Sequence, residues 1–373
     1  MNITSLNLFF PLATLIFSVF IRLNFWPFTQ TFGLYQGDWW YFHHNYGAYI
    51  ANNFFYPIEY PVGYIIIQKV AFIISLFLGG FTYENFILAN ALIFIPVGLS
   101  IFILLQKLGE TIGIKSKRFI LYLSLSPTFF IASTTNYDLL PVSLTLLAML
   151  LLITKRPNLA FLALALGTIV KIYPIFLLPL FILYLLGKKS IFLPILIFIT
   201  TVVGINLPFM IYDFHSWIFP YTWQLQNPQA YDFNTISYYL TYLHLDHYRN
   251  FLALGLLMIA WIISLHFYLK KRLTNKNFLL FCYFIIFTTV FGNHVNTPQY
   301  MLWFLPFAAL LQIPSLLILW PIDFINASVL FSYFKLHYNF QSILAFVFHL
   351  QVLSFTFIYL YLIYNLKKHY EKD

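Results

Sequence analysis

Apolar runs of about 18–22 residues recur along the whole chain and are separated by short polar breaks. An α-helix needs about 20 consecutive apolar residues to cross the hydrocarbon core of a bilayer. The pattern therefore predicts an all-α polytopic membrane protein. No internal repeat, low-complexity tract or soluble segment interrupts it, so we predict a single transmembrane domain over residues 1–373.

Five basic clusters orient the predicted spans. They hold 15 of the 20 lysines and arginines and lie at Lys107/Lys115/Lys117/Arg118, Lys155/Arg156, Lys188/Lys189, Lys270/Lys271/Arg272/Lys276 and Lys367/Lys368/Lys372. Because basic residues concentrate in cytoplasmic loops, we place all five clusters inside, which predicts about twelve crossings (roughly 10 to 13) with both termini inside. The predicted crossings are residues 5–23, 84–105, 119–134, 138–154, 159–171, 174–187, 190–210, 250–269, 277–291, 301–312, 314–332 and 342–365.

This count requires that the apolar stretch 62–80 does not cross the bilayer. The stretch contains Gln68 and Lys69 near its start and ends in Gly79-Gly80. Polar groups of this kind are costly in hydrocarbon. We therefore predict an outer-face or re-entrant helix that packs against the bundle.

Three predicted spans, 159–171, 174–187 and 301–312, are shorter than the roughly 20 residues that a straight crossing needs. Short or proline-broken segments are tolerated at membrane depth where they line a cavity or are buried in protein. We expect a water-accessible cavity that opens on the outer face. Ordinary helix kinks in a packed bundle are the alternative.

Composition narrows the function classes. Hydrophobic residues make up 61% of the chain and charged residues 8%, whereas about a quarter of a soluble domain is charged, so a soluble enzyme is excluded. The net charge of +9 reflects the cytoplasmic clusters, and we expect a lipid bilayer and no nucleic acid as partner. The single cysteine, Cys282, excludes an internal disulfide and a multi-cysteine metal site.

Two long outer loops, residues 24–83 and 211–249, are predicted to contribute the polar chemistry. Eight of the 11 acidic residues fall outside or within the membrane: Asp38, Glu59, Glu84, Asp138, Asp213, Asp232, Asp246 and Asp323. Acidic residues contribute little to topology. The concentration of acidic residues away from the cytoplasmic segments therefore indicates a polar site at the outer face.

The candidate site residues lie in polar segments beside apolar spans. Asp38 follows a glycine in the first loop, and a solvated loop position is its structural alternative. The remaining candidates are Glu59 and Tyr60 in the same loop, Asn136 and Asp138, Lys171 and Tyr173, Asn234 and Arg249, and His294, Gln299 and Tyr300.

These residue types suit the transfer of a group from a lipid phosphate to a hydroxyl. A carboxylate beside a membrane cavity can accept the proton of the hydroxyl as a general base, which contributes a factor on the order of 10²–10⁴. A cation at the boundary can hold the phosphate and stabilise the charge that it acquires on leaving. Lys171 is the first candidate for this cation, with Arg249 and His294 as others.

Several of these residues have structural alternatives. Lys171 could extend toward the interface as an anchor, and His294 could be a hydrogen-bonded structural histidine. His43 and His44 are adjacent rather than four residues apart, so we predict no metal site there. Asp323 lies in a predicted span, where a proton relay, a buried partner and a helix-end position are open.

Four short motifs occur in order along the chain. They are Asp38 followed by Tyr56-Pro57-Ile58-Glu59-Tyr60-Pro61, then Asn136-x-Asp138, then Lys171-x-Tyr173-Pro174, and finally Asn293-His294-Val295-x-Thr297-x-Gln299-Tyr300-x-x-Trp303. With these motifs the chain resembles the GT-C glycosyltransferases. It is similar in particular to polyprenyl-phosphate-mannose-dependent mannosyltransferases of the mycobacterial phosphatidylinositol-mannoside and GPI first-mannosyltransferase type.

The resemblance implies a GT-C-like bundle whose large first outer loop contains juxtamembrane helices. It implies an inverting transfer with Asp38 as the general base, a polyprenyl-phosphate hexose as donor and a glycolipid or glycan as acceptor. No metal or other cofactor is implied, and the site would face outward from the plasma membrane. Two departures bear on the substrate: many relatives have paired acids where this chain has Gly37-Asp38-Trp39, and His294 replaces their common lysine.

Two other function classes fit a polytopic protein. A non-catalytic transporter or flippase of lipid-linked glycans predicts pseudo-symmetric halves with paired broken helices, and no such repeat occurs in the sequence. A lipid-glycan polymerase of the O-antigen-ligase type predicts one large, late, arginine-rich outer loop. Here the first loop carries the acids and arginine is scarce.

Overall fold

The computed structural model describes residues 3–24, 37–134, 136–186, 191–226, 235–270, 273–336 and 345–372, and every regular element in these ranges is helical. The first nine α-helices are α1 (Ile3–Asn24), α2 (Gly37–Asn52), α3 (Val62–Phe77), α4 (Tyr83–Thr111), α5 (Arg118–Leu125), α6 (Pro127–Ala132), α7 (Leu139–Ile153), α8 (Pro157–Val170) and α9 (Leu178–Leu185). They are followed by α10 (Phe192–Tyr212), α11 (Phe214–Gln226), α12 (Tyr238–Tyr242), α13 (Arg249–Lys270), α14 (Asn275–Gly292), α15 (Met301–Leu311), α16 (Leu316–Leu336) and α17 (Ala345–Lys372). Short 3-10 turns occur at Tyr173–Leu177, Asp246–Tyr248 and Pro298–Tyr300.

Five of the described helices are long and apolar enough to cross a bilayer: α4, α10, α13, α14 and most of α17. Shorter apolar helices accompany them, at Leu8–Asn24, Val62–Phe77, Leu139–Ile153, Pro157–Val170, Tyr173–Leu185, Pro298–Leu311 and Leu316–Val329. The predicted all-helical membrane architecture is confirmed for these residues. The count of about twelve crossings and the single domain stay predictions.

The predicted outer-face stretch 62–80 forms α3, a helix of 16 residues. At 1.5 Å per residue this helix is about 24 Å long, which is shorter than the roughly 30 Å of a hydrocarbon core. Its two polar residues have partners outside the helix. Tyr56 donates a hydrogen bond to Gln68, and Lys69 bonds to carbonyls at the end of α2. Whether α3 crosses the bilayer stays a prediction.

Most of the described helices pack into one large apolar core, and Val329 and Phe348 form a small separate cluster. α7 packs against α4 and α8, and α8 also packs against α10. α14 contacts α13, α15 and α17 and is buried along most of its length. α10 and α13 are exposed along most of theirs, as expected of helices that face lipid.

The helix that carries Asp38, α2, is held at both ends. Gly37 has a φ of 78°, a conformation that glycine adopts without steric cost, and it places Asp38 in the first turn. At the other end, Nζ of Lys69 donates to carbonyls that include those of Ile50 and Asn53. A cation at a helix C-terminus stabilises the helix through its dipole. Asp38 is therefore presented from a helix that is fixed at both ends.

α3 approaches the end of α8 closely at Gly63. A Cβ atom added to Gly63 would lie 2.8 Å from the carbonyl oxygen of Ile169 and 3.0 Å from Cα of Val170. Both are backbone atoms, which cannot rotate away as a side chain can. The absence of a side chain at Gly63 therefore lets α3 lie close to the end of α8. The next residue after this contact is Lys171.

Replacing Gly63 with alanine should destabilise the protein because the new methyl group would collide with the backbone of α8. Overpacking of this kind costs about 1–3 kcal/mol. The measurement is the midpoint of thermal unfolding in detergent, followed by tryptophan fluorescence. Gly204→Ala in α10 is the matched control, since nothing lies within 4 Å of its Cβ position. Equal midpoints for the Gly63→Ala protein and wild type would contradict the close contact.

Candidate functional site

The centre of the candidate site is a buried ion pair. Nζ of Lys171 lies 3.0 Å from Oδ1 of Asp138, and their side chains are 8% and 1% exposed. Asp138 directly precedes α7 and Lys171 directly follows α8. These two helices are joined by a short connection and pack against each other, so the start of α7 and the end of α8 meet at the same end of the bundle.

Aromatic rings surround the lysine of this pair. Nζ of Lys171 lies 4.6 Å from the ring centroid of Tyr60, 5.1 Å from that of Tyr300 and 5.5 Å from that of Trp303. A cation close to aromatic ring faces is stabilised by their negative potential. Lys171 therefore does not extend toward the interface as an anchor; it points into the protein and is held there.

Trp303 also supports the carboxylate of the pair. Its indole N–H donates to Oδ1 of Asp138 at 3.2 Å. The Tyr173 ring stacks on Trp303 with centroids 4.4 Å apart, and the Tyr300 ring stacks on it at 4.2 Å. Two predicted site residues, Tyr173 and Tyr300, thus orient the tryptophan that bonds to a third, Asp138.

Asp38 lies beside this ion pair and is buried, with 9% of its surface exposed. The Tyr64 hydroxyl donates to its Oδ2 at 2.6 Å, and the Tyr60 hydroxyl donates to the same oxygen at 3.4 Å. The backbone N–H of Asp38 donates to Oδ1 of Asn136 at 3.4 Å. Asp38 is therefore an enclosed carboxyl group rather than a solvated loop residue.

Tyr60 and Tyr64 connect the carboxyl group to the lysine. Their rings stack with centroids 4.0 Å apart and planes 8° from parallel, and Tyr60 contacts both Asp38 and Lys171. Tyr60 was predicted from the sequence as a site residue, whereas Tyr64 was not. Tyr60 precedes α3 and Tyr64 lies in its first turn, so helical spacing does not relate them, and the aromatic-rich composition of residues 56–64 was the sequence signal for Tyr64.

The surroundings of Asp38 change its acidity. Burial raises the pKa of Asp38 from its ordinary value of 3.8 to about 7. The nearby positive charge of Lys171 and the bond from Tyr64 oppose this change, while the negative charges of Asp138 and Glu59 add to it. Burial also raises the pKa of Glu59, which accepts a hydrogen bond from the Tyr41 hydroxyl at 3.3 Å. A carboxyl group that titrates near neutral pH is suited to general base catalysis.

The other predicted site residues are located as follows. His294 and Gln299 are buried in the segment between α14 and α15, and Arg249 is buried at the first residue of α13. Asn234 lies outside the described residues. Among the residues that the structure describes, no group of three or more His, Cys, Asp or Glu is arranged to hold a metal ion. Phosphate binding by His294 or Arg249 and transfer without a metal stay predictions.

Comparison with known families identifies the class of protein that carries this site. The model of glycosyltransferase family 87 matches residues 69–291, which is more than half of the chain. The chain belongs to glycosyltransferase family 87. This is a GT-C-type family of membrane glycosyltransferases, so the predicted superfamily and the predicted glycosyltransferase activity are confirmed, while the mannosyltransferase type and the polyprenyl-phosphate donor stay predictions. No match was found among curated proteins.

The part of this family 87 glycosyltransferase that matches the family includes only part of the site. Asp138 and Lys171 lie inside the range 69–291, whereas Asp38 precedes it and Tyr300 follows it. Family membership therefore gives the class of reaction. The roles of Asp38 and of the Gln299-Tyr300 turn depend on the geometry described above.

Replacing Asp38 with asparagine should stabilise the folded protein more at pH 8 than at pH 5. Because the pKa of Asp38 is raised from 3.8 to about 7, the folded protein binds more protons than the unfolded chain between these values. The stability of wild type therefore falls as the pH rises through this range. The variant has no carboxyl group at position 38, so its stability does not fall for this reason. The measurement is the thermal midpoint of both proteins at both pH values.

Asp213→Asn is the control for this titration. Hydrogen bonds from Ser216 hold the pKa of Asp213 below its ordinary value, so Asp213 stays ionised between pH 5 and 8. The thermal midpoint of Asp213→Asn should differ from that of wild type by the same amount at pH 5 and at pH 8. If the midpoint of Asp38→Asn also differs from that of wild type by the same amount at both pH values, the pKa of Asp38 is not raised.

Proposed function

We propose that this family 87 enzyme transfers a hexose, with mannose as the expected sugar, from a polyprenyl-phosphate donor to a lipid or glycan acceptor. Transfer would invert the anomeric centre and take place at the extracytoplasmic face of the plasma membrane. The family supports glycosyl transfer in general. Beyond that general activity, we propose the identity of the donor, the sugar and the acceptor, and the side of the membrane on which transfer takes place.

One observation carries this proposal. A carboxyl group with a pKa of about 7 and a fixed ammonium group both contact Tyr60. Inverting transfer from a phosphate needs these two groups, because a proton must leave the acceptor while negative charge grows on the leaving group.

The proposed step follows from the positions of Asp38 and Lys171. Tyr64 and Tyr60 both hold Oδ2 of Asp38, so we assign proton acceptance to Oδ1. The acceptor oxygen loses its proton to Asp38 and forms a bond to the anomeric carbon of the sugar. The bond from that carbon to the phosphate oxygen breaks, and the polyprenyl phosphate leaves with the electron pair.

Lys171 would stabilise the phosphate as it leaves. An ammonium group has three N–H donors, and the pair with Asp138 occupies one of them. Asp138 and the three rings fix the position of Lys171 before substrate arrives. A preorganised charge of this kind needs no rearrangement during the reaction, and this is why it lowers the barrier.

The direct test is a transfer assay with purified protein. Radiolabelled polyprenyl-phosphate-mannose, -glucose and -arabinose are supplied separately, with total membrane glycolipid as acceptor. We expect label from the mannose donor to appear in a glycolipid product. Transfer from the glucose or arabinose donor alone would correct the sugar, and no transfer from any of the three donors would overturn the proposed donor class.

Replacing Asp38 with asparagine should lower the transfer rate by a factor on the order of 10²–10⁴, while folding and donor binding remain. In wild type, kcat/KM should rise with pH and level off above about pH 7, because Asp38 must be ionised to accept a proton. The measurement is the transfer rate from pH 5 to pH 9. Glu110→Gln, at an exposed position, is the control. Retained turnover in the Asp38→Asn variant would remove the mechanism.

Replacing Lys171 with alanine should weaken the donor more than the acceptor, raising the donor KM by about 10- to 100-fold, the usual cost of losing a charged hydrogen bond. Lys115→Ala removes an exposed lysine as the control. Because loss of Lys171 leaves Asp138 buried without its counter-ion, the double variant Lys171→Met, Asp138→Asn is measured in parallel. An unchanged donor KM in both variants would make Lys171 a structural partner only.

A further inference from the structure

A second polar cluster lies apart from the ion pair, where α16 packs against the break between α5 and α6. Pro127 begins α6, and Oγ of Ser126 accepts the N–H of Phe129 at 3.0 Å. Oδ1 of Asp323 on α16 accepts a hydrogen bond from the backbone N–H of Thr128, in the same first turn of α6, at 3.1 Å. Asp323 lies within α16, has no exposed surface and also accepts a hydrogen bond from the Tyr122 hydroxyl at 3.1 Å. Of the alternatives that the sequence left open for Asp323, the buried partner is the one that the structure shows.

Asn326 lies one helical turn beyond Asp323 and contacts three different elements. Its Nδ2 donates to Oγ1 of Thr128 at 2.9 Å and to the carbonyl oxygen of Pro298 at 2.9 Å. Its Oδ1 accepts a hydrogen bond from Nε2 of Gln351 on α17. Asn326, Thr128 and Gln351 all have no exposed surface. One buried amide therefore joins α6, the Pro298–Tyr300 turn and α17.

The two segments that Nδ2 of Asn326 contacts both lead into the candidate site. α6 is followed by the residues that end in Asn136 and Asp138. Pro298 begins the 3-10 turn that ends in Tyr300, whose ring lies 5.1 Å from Nζ of Lys171. The position of the aromatic and acidic partners of Lys171 thus depends on segments that meet at this amide.

We propose that Asn326 is a positioning residue that sets the distance between the Asn136–Asp138 turn and the Gln299-Tyr300 turn, and so holds the donor-binding side of the site. The identity of the donor in this inference rests on the proposed function, whereas the contacts of Asn326 do not depend on it. The carbonyl of Pro298 also accepts the backbone N–H of Met301, and the bond from Asn326 joins this carbonyl to α16. Because Asn326 has no exposed surface, removing its amide breaks that connection inside the packed protein and lets the turn move relative to α16. A shift of about 1 Å at a reacting centre can cost about 100-fold in rate.

The test uses Asn326→Leu, which has a similar volume and no hydrogen-bonding group. Asn365→Leu on α17 is the matched control, because Nδ2 of this buried asparagine bonds to the Tyr361 carbonyl of its own helix. Amide hydrogen exchange is measured in the substrate-free protein for the segment around Pro298–Tyr300. We expect exchange there to be at least about tenfold faster in Asn326→Leu and unchanged in Asn365→Leu.

Transfer kinetics provide the second readout. Asn326→Leu should lower the donor kcat/KM by about 10- to 100-fold. In a Tyr300→Ala background the same substitution should cost less than about twofold, since residues that act through one another are not additive. Losses that multiply in the double variant would show that Asn326 does not act through the turn, and would overturn the proposal.

A milder variant keeps the proposal testable if Asn326→Leu does not fold. Thr128→Val removes the bond between Asn326 and α6, together with the bonds from the Thr128 hydroxyl to the Asp323 carbonyl and to Sδ of Met301. It keeps the bond from Asn326 to Pro298, so exchange should rise more around residues 133–138 than around Pro298–Tyr300. An equal rise in both segments would overturn the proposal. If wild type transfers sugar from none of the three donors, the proposed function fails, but the exchange measurements still decide the role of Asn326.

Discussion

The site depends on the requirement that charges buried in an apolar bundle must be paired. Removing an ion from water costs several kcal/mol even after the protein relaxes, and Lys171 and Asp138 are both almost fully buried. Each therefore needs its partner, and their remaining surfaces need the indole of Trp303 and the rings of Tyr60 and Tyr300. This requirement brings α3, the α7–α8 pair and the start of α15 to one point. Asp38 is enclosed as a consequence, because it shares Tyr60 with Lys171.

The same requirement explains the broken helices. Backbone groups freed by a break have no water to bond to inside a membrane protein, so side chains from neighbouring helices must replace it. At the α5–α6 break the replacement comes from Ser126 and Asp323. At the Pro298–Tyr300 turn, Asn326 donates to the Pro298 carbonyl in addition to the backbone N–H of Met301. Side chains from neighbouring helices therefore stabilise both breaks, and each break leads into a polar turn beside the ion pair.

Enclosure also has a chemical consequence. A carboxyl group on a solvated loop is ionised well below neutral pH and is a weak base, whereas burial gives Asp38 a pKa of about 7. The same low-polarity surroundings strengthen the field of Lys171 on a nearby phosphate. The first effect is useful in a membrane glycosyltransferase, because an acceptor hydroxyl must lose a proton. The second effect suits the phosphate-linked donor that we propose.

Much of this protein is determined by local properties of the sequence. Hydropathy and the basic clusters predicted an all-helical membrane protein, and unusual polar residues beside apolar runs identified Asp38, Asp138, Lys171 and Tyr300. These properties are visible in one dimension because each concerns a residue and its immediate neighbours. The pairings are not, since Trp303 bonds to Asp138 across 165 positions and Asn326 bonds to Thr128 across 198. Only the tertiary structure decided that Lys171 is enclosed rather than extended to the interface, that Tyr64 holds Asp38, and that Asn326 joins α6 to the Pro298–Tyr300 turn, because packing selects these partners.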